Sequence, residues 1–176
     1  MSSKVEKIQM SIGQDRNISQ PRRNLKFEQR TQDPYQAQGK WPEPTTCPDC
    51  HAVFHKGRWQ WSQVPDNANQ HRCPACSRIQ DNVPAGILTL SGDFFMTNKE
   101  EVMNLVHNTE KTEKSEHPLE RIMSVEEYTD KTCSVIKYTG IHLTKSTGEA
   151  LHHAYQGDFE FRYTDRDGVL QASWKR

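Results

Sequence analysis

Apolar positions along residues 1–40 are few and follow no period. Ile8, Met10, Ile12, Ile18, Leu25 and Phe27 are scattered among polar side chains. Such a segment cannot bury enough apolar surface to offset its chain entropy, so it is expected to be disordered in isolation. Residues 41–92 are broken up by proline and cysteine, which predicts short strands and tight turns and no helix of useful length. The best strand candidates there are 52–61 and 87–96, the second with Leu88 and Leu90 on one face.

From residue 93 onward the pattern becomes regular. Thr97 followed three residues later by Glu100 fits a capping box. Val102, Leu105, Val106 and Thr109 then recur at helical spacing, with Glu110 and Lys114 as an i,i+4 pair on the charged face. His117-Pro118 ends that helix, because the residue before a proline avoids the helical conformation. Strands are predicted at 121–128 and 132–138, with a turn at Asp130-Lys131. A second helix is predicted over 140–155, with Leu143, Thr147, Ala150, Leu151 and Ala154 inward and Gly157 as a left-handed cap. A hairpin of 159–163 and 169–174 turns around Asp165-Arg166-Asp167-Gly168. The order β-α-β-β-α-β-β predicts an α+β fold: a ferredoxin-like sandwich with one extra strand, its antiparallel sheet covered by helices on one face. No internal repeat is present. The expected organisation is a flexible basic arm (1–40), a metal-binding ribbon (41–86) and the α+β domain (87–176).

Composition narrows the class. The 176 residues are 33% hydrophobic, and mean hydropathy is −0.94. No stretch approaches the ~18 apolar residues of a membrane span. No apolar leader segment opens the chain, which makes a cytoplasmic location the expectation. Net charge is zero, yet residues 1–40 carry eight Lys+Arg against four Asp+Glu, and residues 93–176 carry eleven against fifteen. A basic arm on an acidic body can attract phosphate backbones. Arg22, Arg23 and Lys26 form its most basic part.

Cys47-Pro48-Asp49-Cys50 and Cys73-Pro74-Ala75-Cys76 carry the chemistry. Two residues between cysteines let one tight turn aim both sulfurs at one ion, and two such turns supply the four donors of tetrahedral zinc. Twenty-two residues separate the pairs, close to zinc-ribbon spacing. Four thiolates close the coordination shell, so the ion would be structural. Iron also accepts four thiolates. A cytoplasmic setting disfavours disulfides. His51, His55 and His71 lie near the pairs, and Cys133 reads as a small core residue.

Between the pairs, Lys56, Arg58, Trp59 and Trp61 place cations beside aromatics, as surfaces that stack unpaired bases do. At least one tryptophan is expected in the ribbon core. Arg72 and Arg78 flank the second pair, where phosphate could dock. His152-His153 is expected to be a surface pair, since adjacent helical residues diverge by ~100°. His117, Glu120 and Arg121 follow a helix end and are expected to form a strand-entry ion pair, with catalysis as the alternative. No Walker A, G-x-S-x-G, H-E-x-x-H or G-x-G-x-x-G motif occurs.

Several strings together resemble an uncharacterised family of small bacterial zinc-ribbon proteins: the two cysteine pairs, Gly57-Arg58-Trp59, Arg78-Ile79 and Pro84-Ala85-Gly86. So do His117-Pro118-Leu119-Glu120-Arg121-Ile122 and Gly148-Glu149-Ala150-Leu151-His152-His153-Ala154-Tyr155. The resemblance covers about residues 40–176; some members are labelled ATPases, for which this chain has no motif. More distantly, the arrangement is similar to the amino-terminal part of the archaeal and eukaryotic adaptor that binds the large ribosomal subunit and aids its export. That adaptor has more Cys-x-x-Cys pairs than this chain. The resemblance implies RNA or ribosome binding. A protein-interaction adaptor is the second expectation, and an enzyme using the His117/Glu120/Arg121 region or His152-His153 the third.

Overall fold

A computed structural model describes residues 33–35, 41–128, 132–164 and 168–176. Most of the basic arm, including Arg22, Arg23 and Lys26, lies outside the described residues. So do the turn at Asp130-Lys131 and most of the one before Gly168.

The first unit is a small four-stranded sheet with one helix. Its strands are β1 (Thr45–Thr46), β2 (Val53–His55), β3 (Arg58–Gln60) and β4 (Asn69–Gln70), in the order β3-β2-β1-β4, with β4 parallel to β1. The expected strand over 52–61 is a hairpin instead. Lys56 and Gly57 form its two-residue loop with φ of 52° and 76°, and two positive φ values suit the twist of the flanking strands. The Glu43 carboxylate accepts both loop N–H groups, at 2.7 and 3.1 Å.

Helix α1 (Pro74–Asp81) corrects the expectation that this region holds no helix. Cys73 is its N-cap and Pro74 opens its first turn. Proline fits there because its fixed φ suits the helix and the N–H it lacks has no intrahelical partner. Read only as a breaker, Pro74 concealed the helix.

The second unit contains β5 (Gly86–Ser91), α2 (Asp93–Thr97), α3 (Lys99–Glu116), β6 (Ile122–Tyr128), β7 (Cys133–Tyr138), α4 (Ile141–Tyr155), β8 (Asp158–Tyr163) and β9 (Leu170–Lys175). The expected strand at 87–96 ends at Ser91, and the short helix α2 takes over. The Thr97 capping box does not form: Thr97 bonds back to Asp93 O, and α3 starts from Asn98 without a side-chain cap. Glu110 accepts the Ile122 N–H at 2.8 Å, tying α3 to the start of β6.

The sheet order is β6-β7-β5-β9-β8. β5-α3-β6 flanks β7, as a split β-α-β should. The sheet is mixed rather than antiparallel, because β9 lies between β5 and β8 and runs parallel to β5. The extra strand is thus inside the sheet. Leu88, Ile136 and Ala172 share one row, and Leu90, Ser134 and Trp174 the next. These rows face Phe95, Val102, Val106, Leu143 and Leu151 of the helices to form the main core. Ala154, expected inward, is exposed.

Gly86 is required where α4 crosses the sheet, since a Cβ there would collide with Thr144 Oγ1. Among the described residues no helix is long and apolar enough to cross a membrane.

Candidate metal centre

The two knuckles are built differently. In the first, the chain folds back after Cys47: Cys47 N–H donates to Ala52 O and His51 N–H to Cys47 O, both at 2.9 Å. His51 takes a positive φ of 63° to close the turn. In the second, the knuckle is the opening turn of α1. Cys76 N–H donates to Cys73 Sγ at 3.4 Å, and Cys73 N–H donates to Cys47 Sγ at 3.3 Å.

The four sulfurs lie within 4.8 Å of one another. Cys50 Sγ and Cys73 Sγ are 3.7 Å apart, and none of the cysteines forms a disulfide. A tetrahedron with Zn–S bonds of about 2.3 Å has edges of about 3.8 Å. The sulfur set therefore fits one tetrahedral ion. Cys47, Cys73 and Cys76 are buried, and Cys50 is half-buried.

Arg121 arrives from the second unit. Its guanidinium donates to Cys50 Sγ at 3.0 Å and Cys76 Sγ at 3.4 Å, and reaches Cys73 Sγ at 4.0 Å. Nε donates to Pro118 O at 2.6 Å. The Trp61 ring lies 5.9 Å from the guanidinium carbon, within cation–π range. Burial alone would push the Cys50 thiol up, but the Arg121 hydrogen bond, the Ala52 N–H and the Arg121 charge bring it down to about 7. Burial pushes the Cys76 thiol up to about 11 and the Cys73 thiol higher still. Burial works against the Arg121 cation too, yet the neighbouring sulfurs outweigh it and raise its pKa.

The segment 117–121 forms the seam between the units. Leu119 packs on the first unit's apolar cluster. Arg121 N–H donates to Thr139 Oγ1, and Thr139 N–H donates back to Arg121 O, both at 2.9 Å. The Glu120 carboxylate accepts Leu143 N–H at 2.9 Å, capping α4, whose N-cap Gly140 offers no side chain. A Cβ on Gly140 would collide with that carboxylate. The expected strand-entry ion pair is therefore absent: Glu120 caps a helix and Arg121 serves sulfurs. His117 is exposed, with its ring edge-on to His142 at 6.2 Å.

Burial raises the Glu120 pKa, and Glu113 adds to it against the Leu143 N–H and the nearby histidines. A carboxyl raised on folding favours the folded state below its unfolded pKa, and that contribution is lost as pH rises through the folded value. Glu120→Gln keeps an acceptor for Leu143 and removes the charge. Its melting temperature relative to wild type is expected to be lowest near pH 4, where the wild-type carboxyl is protonated, and to rise as pH increases from there to 8. A difference that stays constant across this range would contradict the assignment.

The residues expected to contact nucleic acid separate. Lys56 and Arg58 are exposed at the hairpin tip. Trp59 is 9% exposed and packs on Phe54 and Trp41, so it belongs to the core of the first unit and offers no face to a base. Trp61 is 41% exposed; β3 stops at Gln60, so Trp61 leaves the strand and donates Nε1–H to Lys114 O at 2.6 Å. Arg72 pairs with Asp49 and Gln80. Arg78 is buried, pairs with Asp33 at 2.5 Å, donates to Val83 O at 3.1 Å and lies over the Tyr35 ring, which removes it as a phosphate ligand.

Among the histidines, His71 stacks on Trp41 and His55 faces Glu43. His152 and His153 are exposed, and His152 Nδ1 bonds Gly157 O at 2.7 Å. Cys133 is half-buried at the start of β7. Among the described residues, only Cys47, Cys50, Cys73 and Cys76 form a group that could hold a metal ion. No family model, curated protein or solved structure matches the chain.

Proposed function

We propose that this is a non-catalytic zinc-ribbon protein, active in the cytoplasm, that binds RNA with the ribosome as its target. The carrying observation is the sulfur quartet with a guanidinium against three of its members. Four thiolates fill a tetrahedral ion and leave no position for water or substrate, so Cys47, Cys50, Cys73 and Cys76 would hold the ion and the ion would hold the ribbon. The ribbon then presents Lys56 and Arg58 at a rigid exposed tip, and the +4 arm of residues 1–40 adds attraction to phosphate. The resemblance to the bacterial zinc-ribbon family, and more distantly to the large-subunit export adaptor, points the same way. In this reading the second unit is a ferredoxin-like variant, and no membrane partner is involved.

Ribosome co-sedimentation at low salt tests the proposal. Binding is expected to weaken steeply with salt, and Lys56→Ala with Arg58→Ala to lower the log–log salt slope by about 2. Free migration at every salt concentration ends the reading. A protein-interaction adaptor is the second reading, favoured by the sheet face opposite the helices, where Ile87, Thr89 and Val135 are only half-buried. Capture of a partner that resists nuclease would select it. Catalysis by Glu120 and Arg121 loses support because both side chains are committed to the seam.

A further inference from the structure

Arg121 is 7% exposed, and among the described residues no carboxylate pairs with it. A buried guanidinium needs compensation for its lost hydration. Its polar neighbours here are the Pro118 carbonyl and the sulfurs of Cys50, Cys76 and Cys73, with the Trp61 ring alongside. Four thiolates around a divalent ion carry a formal charge of −2, and one guanidinium halves it. Arg121 is also held from behind, because its backbone is locked to Thr139 at the end of β7. The cation is thus presented by the sandwich to a charge that exists in full only when the ribbon holds its ion.

Few other links cross the seam. Among the described residues no ladder joins the two sheets. Among the described residues, Leu119 packs on the apolar cluster of the first unit and the Trp61 indole donates to Lys114 O, both from one short stretch of the second unit.

We propose that Arg121 is an outer-sphere member of the metal centre, through which metal loading clamps the ribbon to the sandwich. The inference rests on the zinc-site part of the proposed function and not on RNA binding. Coupling of this kind is reciprocal: docking raises metal affinity by the same factor by which metal loading favours docking. Arg121 acts on the ion through its ligands, so it is a positioning residue. Outer-sphere partners of this type are worth about 10–100-fold in metal affinity.

The test uses the full chain loaded with Zn²⁺ or Co²⁺, as wild type, Arg121→Met and Arg121→Lys. Competition with a chromophoric chelator is expected to show affinity lowered about 10–100-fold in the methionine variant, with partial recovery in the lysine variant. The thiolate-to-cobalt charge-transfer bands should shift in the methionine variant and by less in the lysine variant. Amide exchange should accelerate at residues 117–121 and 139 when wild type is stripped of metal, while residues 102–106 stay protected. In the methionine variant 117–121 should exchange fast even when loaded. Methionine-variant affinity within about twofold of wild type, with an unchanged cobalt spectrum, overturns the proposal. Continued protection of 117–121 after stripping overturns it too. Should the methionine variant fail to fold, the lysine variant decides: a displaced cobalt band supports the proposal and an unchanged one overturns it. If wild type takes up no metal, the zinc reading and this inference fall together. If wild type binds metal and the variants match it, this inference alone fails.

Discussion

Replacing Cys47 or Cys73 by serine is expected to abolish metal binding and unfold residues 41–82 while leaving the sandwich folded. The ribbon has almost nothing else to hold it. Its strands are two or three residues long. Its buried cluster is Cys47, Ala52, Phe54, Trp59, Cys73, Ala75 and Cys76, so three of its members belong to the sulfur quartet that would hold the ion. Binding of a structural zinc supplies on the order of 10 kcal/mol to folding in such modules. Trp59 fluorescence should move to the red, the near-UV dichroism of the ribbon should vanish, and its amides should exchange freely. Chelation of the wild-type protein should reproduce all three changes. A serine variant that keeps a buried Trp59 and a protected ribbon would show that the sulfurs are ordinary core residues.

Trp174→Ala is expected to destabilise the sandwich by about 3–5 kcal/mol, the range for truncating a large buried aromatic. Trp174 is fully buried, donates Nε1–H to Gln156 O at 2.9 Å and packs against Phe94 and Tyr155. It therefore joins β9, α2 and the end of α4 in one contact. For a unit of this size the loss corresponds to a melting temperature lower by about 12 °C or more. Denaturant titration followed by far-ultraviolet dichroism checks it, with metal saturating so that the ribbon is constant. A shift of only a few degrees would mean that the surrounding rings collapse into the space.

Local features of this fold are legible in the chain, and long-range ones are not. The metal site depends on a spacing within each tight turn, so Cys47/Cys50 and Cys73/Cys76 stand out. The helix over 141–155 and the stop at His117-Pro118 are read from periodicity and from proline sterics. Trp59 and Trp61 share a strand face only while the strand continues, and the end of β3 at Gln60 sends them to different places. The role of Arg121 has no local trace, because its sulfur partners stand 45 to 71 positions away. The place of β9 is hidden for the same reason: an alternating stretch shows which side is buried, not which neighbour it joins.

That last strand has a consequence for biosynthesis. β5 has β7 on one flank and β9 on the other, and β9 is made some eighty residues after β5. Until β9 is made, a nascent chain leaves this central strand open on at least one flank, with Leu88 and Leu90 still waiting for Ala172 and Trp174. The cysteine knuckles precede all of this, so the ribbon can mature early on the ribosome while the sheet closes late. Arrest of synthesis between residues 140 and 165 should therefore yield a metal-competent chain that a trigger-type chaperone still holds.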